Sequence, residues 1–299
     1  MQRANLSDLL SASRSAGPAV TVIQGMKGLG DNIYQRAFLR QLPGPVYLET
    51  PWPELYTDMP HVLPVHVPTT LRTQRKNAEA YAGAWHTPPL VRRAQRIEYR
   101  AEGIFAGMRR TFGVEPGVLD LLDLGPSPVA GRYALVRPVT VRSEWRADTR
   151  NPLPEYVAEA ADELRQRGVT VVSVADLEDG AEWAIEPLPP ADVQFHRGEL
   201  PMRQLLALLQ GAACVVGGIG WIVPAAIAAH RPAWVVCGGQ GGYNSPERIT
   251  DPSMDLTAMT FAVPDRMCMC MQRSHDCDKR ITNHRARFAE WLNGLPGLV

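Results

Sequence analysis

Twice in this chain a short apolar, β-branched run empties into a glycine-rich turn and then into residues with helical spacing. The first instance is Ala19-Val-Thr-Val-Ile-Gln24, the turn Gly25-Met-Lys-Gly-Leu-Gly-Asp31 and the segment Ile33 to Leu42. The second is Ala213 to Val216, the turn Gly217-Gly-Ile-Gly220 and the segment Trp221 to Ala229. A strand that runs directly into a helix buries its faces by pairing in parallel with further strands, so the pattern restricts the chain to α/β architectures. Other apolar runs keep the rhythm. Strands are predicted at 45–49, 62–67, 133–137, 169–174, 193–196 and 233–237, and helices at 154–167 and 202–210, with residues 70–110 mostly helical. A Gly- and Pro-rich stretch from 113 to 131 ends in Gly125-Pro-Ser-Pro-Val-Ala-Gly131, the clearest linker signal in the sequence. With 299 residues, more than one core usually serves, the prediction is two Rossmann-like domains, 1–130 and 131–299, facing across a cleft at the carboxyl ends of their strands.

Composition narrows the setting. Hydrophobic residues make up 45% and charged residues 21%, which suits a globule with sizeable cores. The longest apolar stretch, 212–229, is broken by Gly217, Gly218, Gly220 and Pro224, so no membrane span is expected. The opening residues lack the apolar centre of a signal peptide, which predicts a cytoplasmic protein, and five cysteines in such a chain argue against a disulfide framework. Net charge is zero, yet between Arg72 and Arg110 nine basic residues stand against three acidic ones. That segment is either a face for a polyanion or a pair of solvated helices.

Several residues can carry chemistry. Asp31, at the start of the first helix, serves either as a base toward a bound hydroxyl or as the helix cap. Its loop, Gly28-Leu-Gly-Asp31, is neither a Walker A loop nor a GxGxxG fingerprint, which weakens any nicotinamide reading. Gly217, Gly218, Ile219 and Gly220 offer backbone N–H groups to phosphate at a helix start, or else let helix and strand pack closely. Arg137, Arg142 and Arg146 follow the first strand of the second half and can reach the same cleft. Near the end, Cys268, Cys270, His275 and Cys277 supply three thiolates and an imidazole to zinc, or are reduced thiols in a packed loop. Bonded structural roles are expected for His66 and His196.

The run Gly28-Leu-Gly-Asp-Asn-Ile-Tyr-Gln-Arg-Ala-Phe-Leu-Arg-Gln-Leu42 resembles the opening signature of glycosyltransferase family 9, the ADP-heptose:lipopolysaccharide heptosyltransferases. The segment Val215 to Ala229 is similar to that family's second motif, and the likeness extends over most of the chain. The resemblance implies a GT-B fold and an inverting, metal-independent transfer from a nucleotide sugar, which is a co-substrate, with no cofactor required. It implies that Asp31 is the catalytic carboxylate. It places the nucleotide sugar on the C-terminal half, with Gly30, Arg137, Arg142 and residues 217–220 around it. The family carries Asp and His where this chain has Gly218 and Val223, so a donor other than ADP-heptose is compatible with the pattern; Phe38 stands where the family has Pro. Because the basic segment falls in the acceptor-binding half, Arg72, Arg92, Arg93 and Arg96 are the expected acceptor contacts. The acceptor is then anionic, a glycan such as lipopolysaccharide core, or alternatively DNA with hydroxylated bases of the phage type. Two competing readings are a non-catalytic nucleotide-sugar-binding protein and a nucleotide-sugar epimerase.

Overall fold

A computed structural model describes residues 20–89, 94–99 and 102–298. Two parallel sheets carry the architecture. The first is built from β1 (Thr21–Gln24), β2 (Val46–Glu49), β3 (Val62–Val65) and β4 (Gln95–Arg96), in the order β3-β2-β1-β4. The second takes six strands from the other half of the chain. With β5 (Tyr133–Arg137), β6 (Thr140–Arg142), β7 (Thr170–Val174), β8 (Glu182–Ala184), β9 (Val193–Phe195), β10 (Cys214–Gly218), β11 (Ala233–Val236) and β12 (Met259–Ala262), its order is β12-β11-β10-β5-β7-β9. Strands β6 and β8 form a separate antiparallel ribbon. The expected α/β class with two Rossmann-like sheets is therefore observed.

The central strands read as unbroken apolar runs because helices cover both faces. All five residues of β10 and all four of β11 are buried. Helix α1 (Leu29–Leu39) buries Ile33, Ala37, Phe38 and Leu39, and Phe38 packs its ring on Phe105 at 5.1 Å and Phe112 at 5.4 Å. Phe38 thus continues the helix into the core where a proline would have interrupted it.

Residues 70–110 are less helical than the spacing suggests. Helix α2 (Arg72–Ala80) stops before Gly83, and the Trp85-His-Thr-Pro-Pro89 stretch has no helix. Then Gln95 and Arg96 pair with Ile23 and Gln24 as the edge strand β4. Helix α3 (Ile104–Phe112) starts only after Gly103, whose φ of 101° is open to glycine alone and whose absent Cβ leaves room for the Arg248 backbone. Arg92 and Arg93 lie outside the described residues.

The two halves meet directly. Tyr34 on α1 donates its hydroxyl to the Ile249 carbonyl at 2.6 Å, and Arg109 on α3 binds both oxygens of Asp251 at 2.6 and 2.9 Å. On the opposite rim Arg72 and Thr73 grip Asp176, with the Thr73 amide at 3.1 Å. Gly30 sits against the backbone of Trp221, where a Cβ would approach the Trp221 Cα to 3.0 Å.

Candidate active site

The site forms where the two glycine turns face each other. Asp31 is the third residue of α1, whose cap is Gly28, so the helix-cap alternative for Asp31 falls away. The loop before it is held instead by Asn32. Its amide donates to the carbonyls of Met26 at 2.6 Å and Gly28 at 2.8 Å, while its Oδ1 accepts from Thr50 at 2.8 Å and Tyr56 at 2.9 Å. With the turn so satisfied, the Asp31 carboxyl is left to face the cleft. It folds back over Gly28, and any side chain at position 28 would collide with it.

Around Asp31 lies a cavity of about 220 Å³, lined from the first half by Gly30, Tyr34, Trp52 and Tyr99 and from the second by Arg137, Arg142, Arg150 and Trp221. Burial raises the Asp31 carboxyl from 3.8 to about 7, and the nearby Arg150 cation partly opposes the rise. A carboxyl that titrates near neutrality is suited to take a proton from a hydroxyl at physiological pH. The same negative charge, together with burial, pushes the hydroxyls of Tyr34 and Tyr99 up, so both remain hydrogen-bond donors.

The arginines divide differently from the sequence expectation. Arg137 and Arg142 do line the cavity, but both lean on Glu182, which is 4% exposed, at 3.5 and 2.6 Å. Burial pushes the Arg137 guanidinium down to about 10, with Glu182 opposing, so it remains charged near neutrality. Arg146 points away from the cleft: it is 62% exposed, pairs with Asp148 at 2.8 Å and lies over the Trp183 ring. The residue that sequence reasoning missed is Arg150. It lines the cavity, it faces Asp31 electrostatically, and its buried Nε has no hydrogen-bond partner among the described residues. A guanidinium left in this state is ready for an anion.

Gly217 and Gly218 are corrected in position. Both belong to β10, paired with Val235 and Val236, and neither lines the cavity; the helix Ile222–Ala228 begins four residues beyond Gly218. Their missing side chains make room for packing: a Cβ at 217 would meet Ile222 at 2.8 Å and Arg137 at 3.1 Å, and one at 218 would meet Pro152 at 3.1 Å. Ile219 and Gly220 do reach the cavity, with Val223 behind them. Pro152 therefore crowds position 218, and a side chain there would have to push its ring aside.

The basic segment is extensively ion-paired. Arg72 binds Asp176, Arg75 reaches Glu178 at 3.9 Å, Arg109 binds Asp251 and Glu115, and Arg110 binds Glu102. Several of these acids come from the second half, so much of the local excess closes the rims of the cleft. Arg96 remains 72% exposed, 4.0 Å from Glu98. His66 packs edge-on against Trp85, and His196 bonds Ser173 at 2.8 Å.

Cys268, Cys270, His275 and Cys277 converge, with one ligand atom from each lying within 4.8 Å of the others. His275 Nδ1 lies 3.2 Å from Cys277 Sγ and 3.6 Å from Cys268 Sγ, and Cys270 Sγ lies 3.6 Å from Cys277 Sγ. Three thiols and an imidazole at this spacing fit a tetrahedral site for zinc or iron. None of the four lines the cavity.

No protein-family model matches the sequence, and no curated protein matches it. Solved structures do. The dodecameric iron-containing heptosyltransferase TibC in complex with ADP-D-β-D-heptose aligns with a TM-score of 0.57 at 16% identity, over 93% of this chain and 76% of that one. TibC from enterotoxigenic E. coli H10407 aligns with a TM-score of 0.54 at 16% identity, over 93% and 77%. The E. coli ADP-heptose lipopolysaccharide heptosyltransferase II gives 0.55 at 14%, over 92% and 98%. This chain has the heptosyltransferase fold. In a heptosyltransferase fold of the GT-B type the two sheets face one another across a cleft, and here that cleft holds Asp31 and Arg150. Among the described residues no helix is long and apolar enough to cross a membrane.

Proposed function

We propose that the protein is a glycosyltransferase that moves a sugar from a nucleotide-sugar donor to a hydroxyl of an anionic glycan acceptor, by an inverting step that needs no metal. The observation that carries this reading is the Asp31 carboxyl, unencumbered at the cleft and raised to about 7 by burial, opposite Arg150, whose buried Nε has no hydrogen-bond partner among the described residues. Asp31 takes the proton of the acceptor hydroxyl; the oxygen attacks the anomeric carbon; the bond from that carbon to the diphosphate breaks, and its electron pair leaves on the phosphate oxygen. Arg150, with Arg142 and Arg137 released from or sharing Glu182, stabilises that charge. A single displacement inverts the anomeric configuration.

The fold likeness to enzymes named for ADP-heptose and lipopolysaccharide supports a glycan acceptor over DNA and a nucleoside diphosphate leaving group. Gly218 and Val223 support a donor sugar other than heptose, since the polar contacts of the family motif are absent. Residues 1–130 form the acceptor unit and 131–299 the donor unit, acting in the cytoplasm. Release of nucleoside diphosphate from a panel of nucleotide sugars, with and without glycan acceptors, tests the reading. Binding without turnover would leave a nucleotide-sugar-binding protein, and isomerised free donor would mark an epimerase.

Two site predictions follow from the roles. Arg150→Ala is expected to weaken ADP binding about 10-fold or more, because one charge-assisted contact is worth about 1.5–3 kcal/mol; calorimetry reads it, and unchanged affinity would return the phosphate to Arg142. Replacing Arg92, Arg93 and Arg96 together by Ser should raise the acceptor KM several-fold and leave donor affinity alone. Unchanged acceptor kinetics would make that stretch a solvated face.

A further inference from the structure

The converging cysteines and histidine sit directly behind the turn that presents Arg150. The one-turn helix Asp148–Arg150 holds its place through backbone bonds to the cysteine loop and to the strand end beyond β11. The Thr149 amide donates to the Arg273 carbonyl at 3.2 Å, the Gly239 amide donates to the Thr149 carbonyl at 2.9 Å, and Lys279 Nζ donates to the Asp148 carbonyl at 3.0 Å. The Thr149 hydroxyl is buried with no hydrogen-bond partner among the described residues, so its own side chain adds nothing to this hold.

A second set of bonds ties the same loop to the other side of the cleft mouth. Gly241 and Gly242 donate to the carbonyls of Cys268 and Cys270 at 2.8 and 3.1 Å, and the short helix that begins at Gly241 carries Tyr243 and Asn244, which line the cavity. The packing is tight enough to demand glycine. A Cβ at 239 would stand 2.5 Å from Cys277 Sγ and 2.9 Å from the Thr149 carbonyl, and one at 241 would stand 2.7 Å from Met269 Sδ. A side chain at 238 would run into the Arg150 carbonyl itself. The loop 266–277 has no helix or strand of its own, so the convergence of its four ligand atoms is what can hold its shape.

We propose that Cys268, Cys270, His275 and Cys277 bind one zinc or iron(II) ion that braces the Asp148–Arg150 turn, which makes the four ligands positioning residues for Arg150. The ion takes no part in transfer. Thiolates replace thiols on binding and their protons go to solvent. With the ion in place the turn is pinned from behind and the guanidinium faces Asp31 at a fixed position; without it the backbone bonds of Thr149 and Gly239 open together.

The test uses the full chain in a reducing buffer. Elemental analysis of the purified protein should find one zinc or iron per chain, or take up one on incubation with zinc(II) or iron(II), and Cys268→Ser should lose it. Stripping with phenanthroline is expected to speed amide exchange at Thr149 and Gly239 at least 10-fold while β1 and β10 keep their protection. A role confined to global stability would instead speed all of them alike, and that result overturns the brace, as does unchanged exchange at Thr149 or failure to bind either ion. The affinity arm, with ADP as the probe, rests on the transferase reading. Stripping should weaken ADP several-fold in the wild type and by less than twofold in Arg150→Ala, because both act through the same side chain. Equal losses in the two backgrounds overturn the coupling. A wild type that binds none of ADP, UDP, GDP, CDP and dTDP while Thr149 responds to stripping sinks the transferase reading and leaves the brace standing.

Discussion

Asp31→Asn should cut turnover by about 10²–10⁴-fold, the usual worth of a positioned general base, while ADP affinity stays within a few-fold. In the proposed transfer the base acts on the acceptor hydroxyl, so the loss belongs in kcat. Because burial holds this carboxyl at about 7, the wild-type rate should rise with pH up to about that value and level off above it, as the carboxylate form fills. Arg150→Ala removes the cation that opposes the shift, so the acid limb of its profile should move upward. The same substitution carries a stability signature of opposite sign. Asp31 titrates at 3.8 in a solvated chain and about 7 when folded, so the folded state binds the extra proton between these values and stability falls as pH rises through that window. Asn carries no such penalty, and Asp31→Asn should therefore be more stable than wild type at pH 8, by a few kcal/mol. Denaturant midpoints at pH 4 and pH 8 check this. Parallel pH dependence in the two proteins, with turnover intact, would remove Asp31 from the reaction.

The α/β rhythm was legible because buried parallel strands are short apolar runs and glycine turns punctuate them; β5, β7, β10 and β11 lie within two residues of where their composition puts them. Elements without such a signature were not. Gln95 and Arg96 form β4 though neither residue favours a strand, since the edge of β1 selects them by register alone. The C-terminal helix His284–Asn293 was also missed, its apolar face being limited to Phe288, Trp291 and Leu292. At the site, Asp31 was visible from its place after the glycines, whereas Arg150 was not. It sits among four arginines in fourteen residues, and what separates it from Arg137, Arg142 and Arg146 is the position of Glu182 and Asp148, which is tertiary information. The glycines at 217 and 218 mislead for a related reason. Close helix-to-strand packing and phosphate binding require the same residue, and only the neighbours, Ile222 and Pro152, tell them apart.

The largest loss of stability is expected at Arg36, on the helix that presents Asp31. Its guanidinium is fully buried and binds Asp58 at 2.8 and 2.9 Å, Asp120 at 3.1 Å and the Leu55 carbonyl. Position 36 lies five residues past Asp31, about 140° round the helix, so the ion pairs anchor the back of α1 while the carboxyl faces the cleft. Arg36→Met fills similar space without a charge and leaves two carboxylates sharing Arg40, which binds them at 2.5 and 2.6 Å from a half-exposed position. Breaking a buried pair from one side costs about 3–5 kcal/mol, and the partial exposure of both acids with Arg40 still present places this case at about 3. The acid limb offers a second readout. Burial pushes Asp58 up, but its bonds to Arg36 and then Arg40 outweigh that and hold it at about 2, so this carboxylate stabilises the fold above 3.8 and the gain disappears as pH falls toward 2. The variant should therefore lose less on acidification than the wild type does. An unfolding free energy from urea titration within about 1 kcal/mol of wild type at pH 7 would show that Arg40 alone can seat the helix, and Asp31 with it.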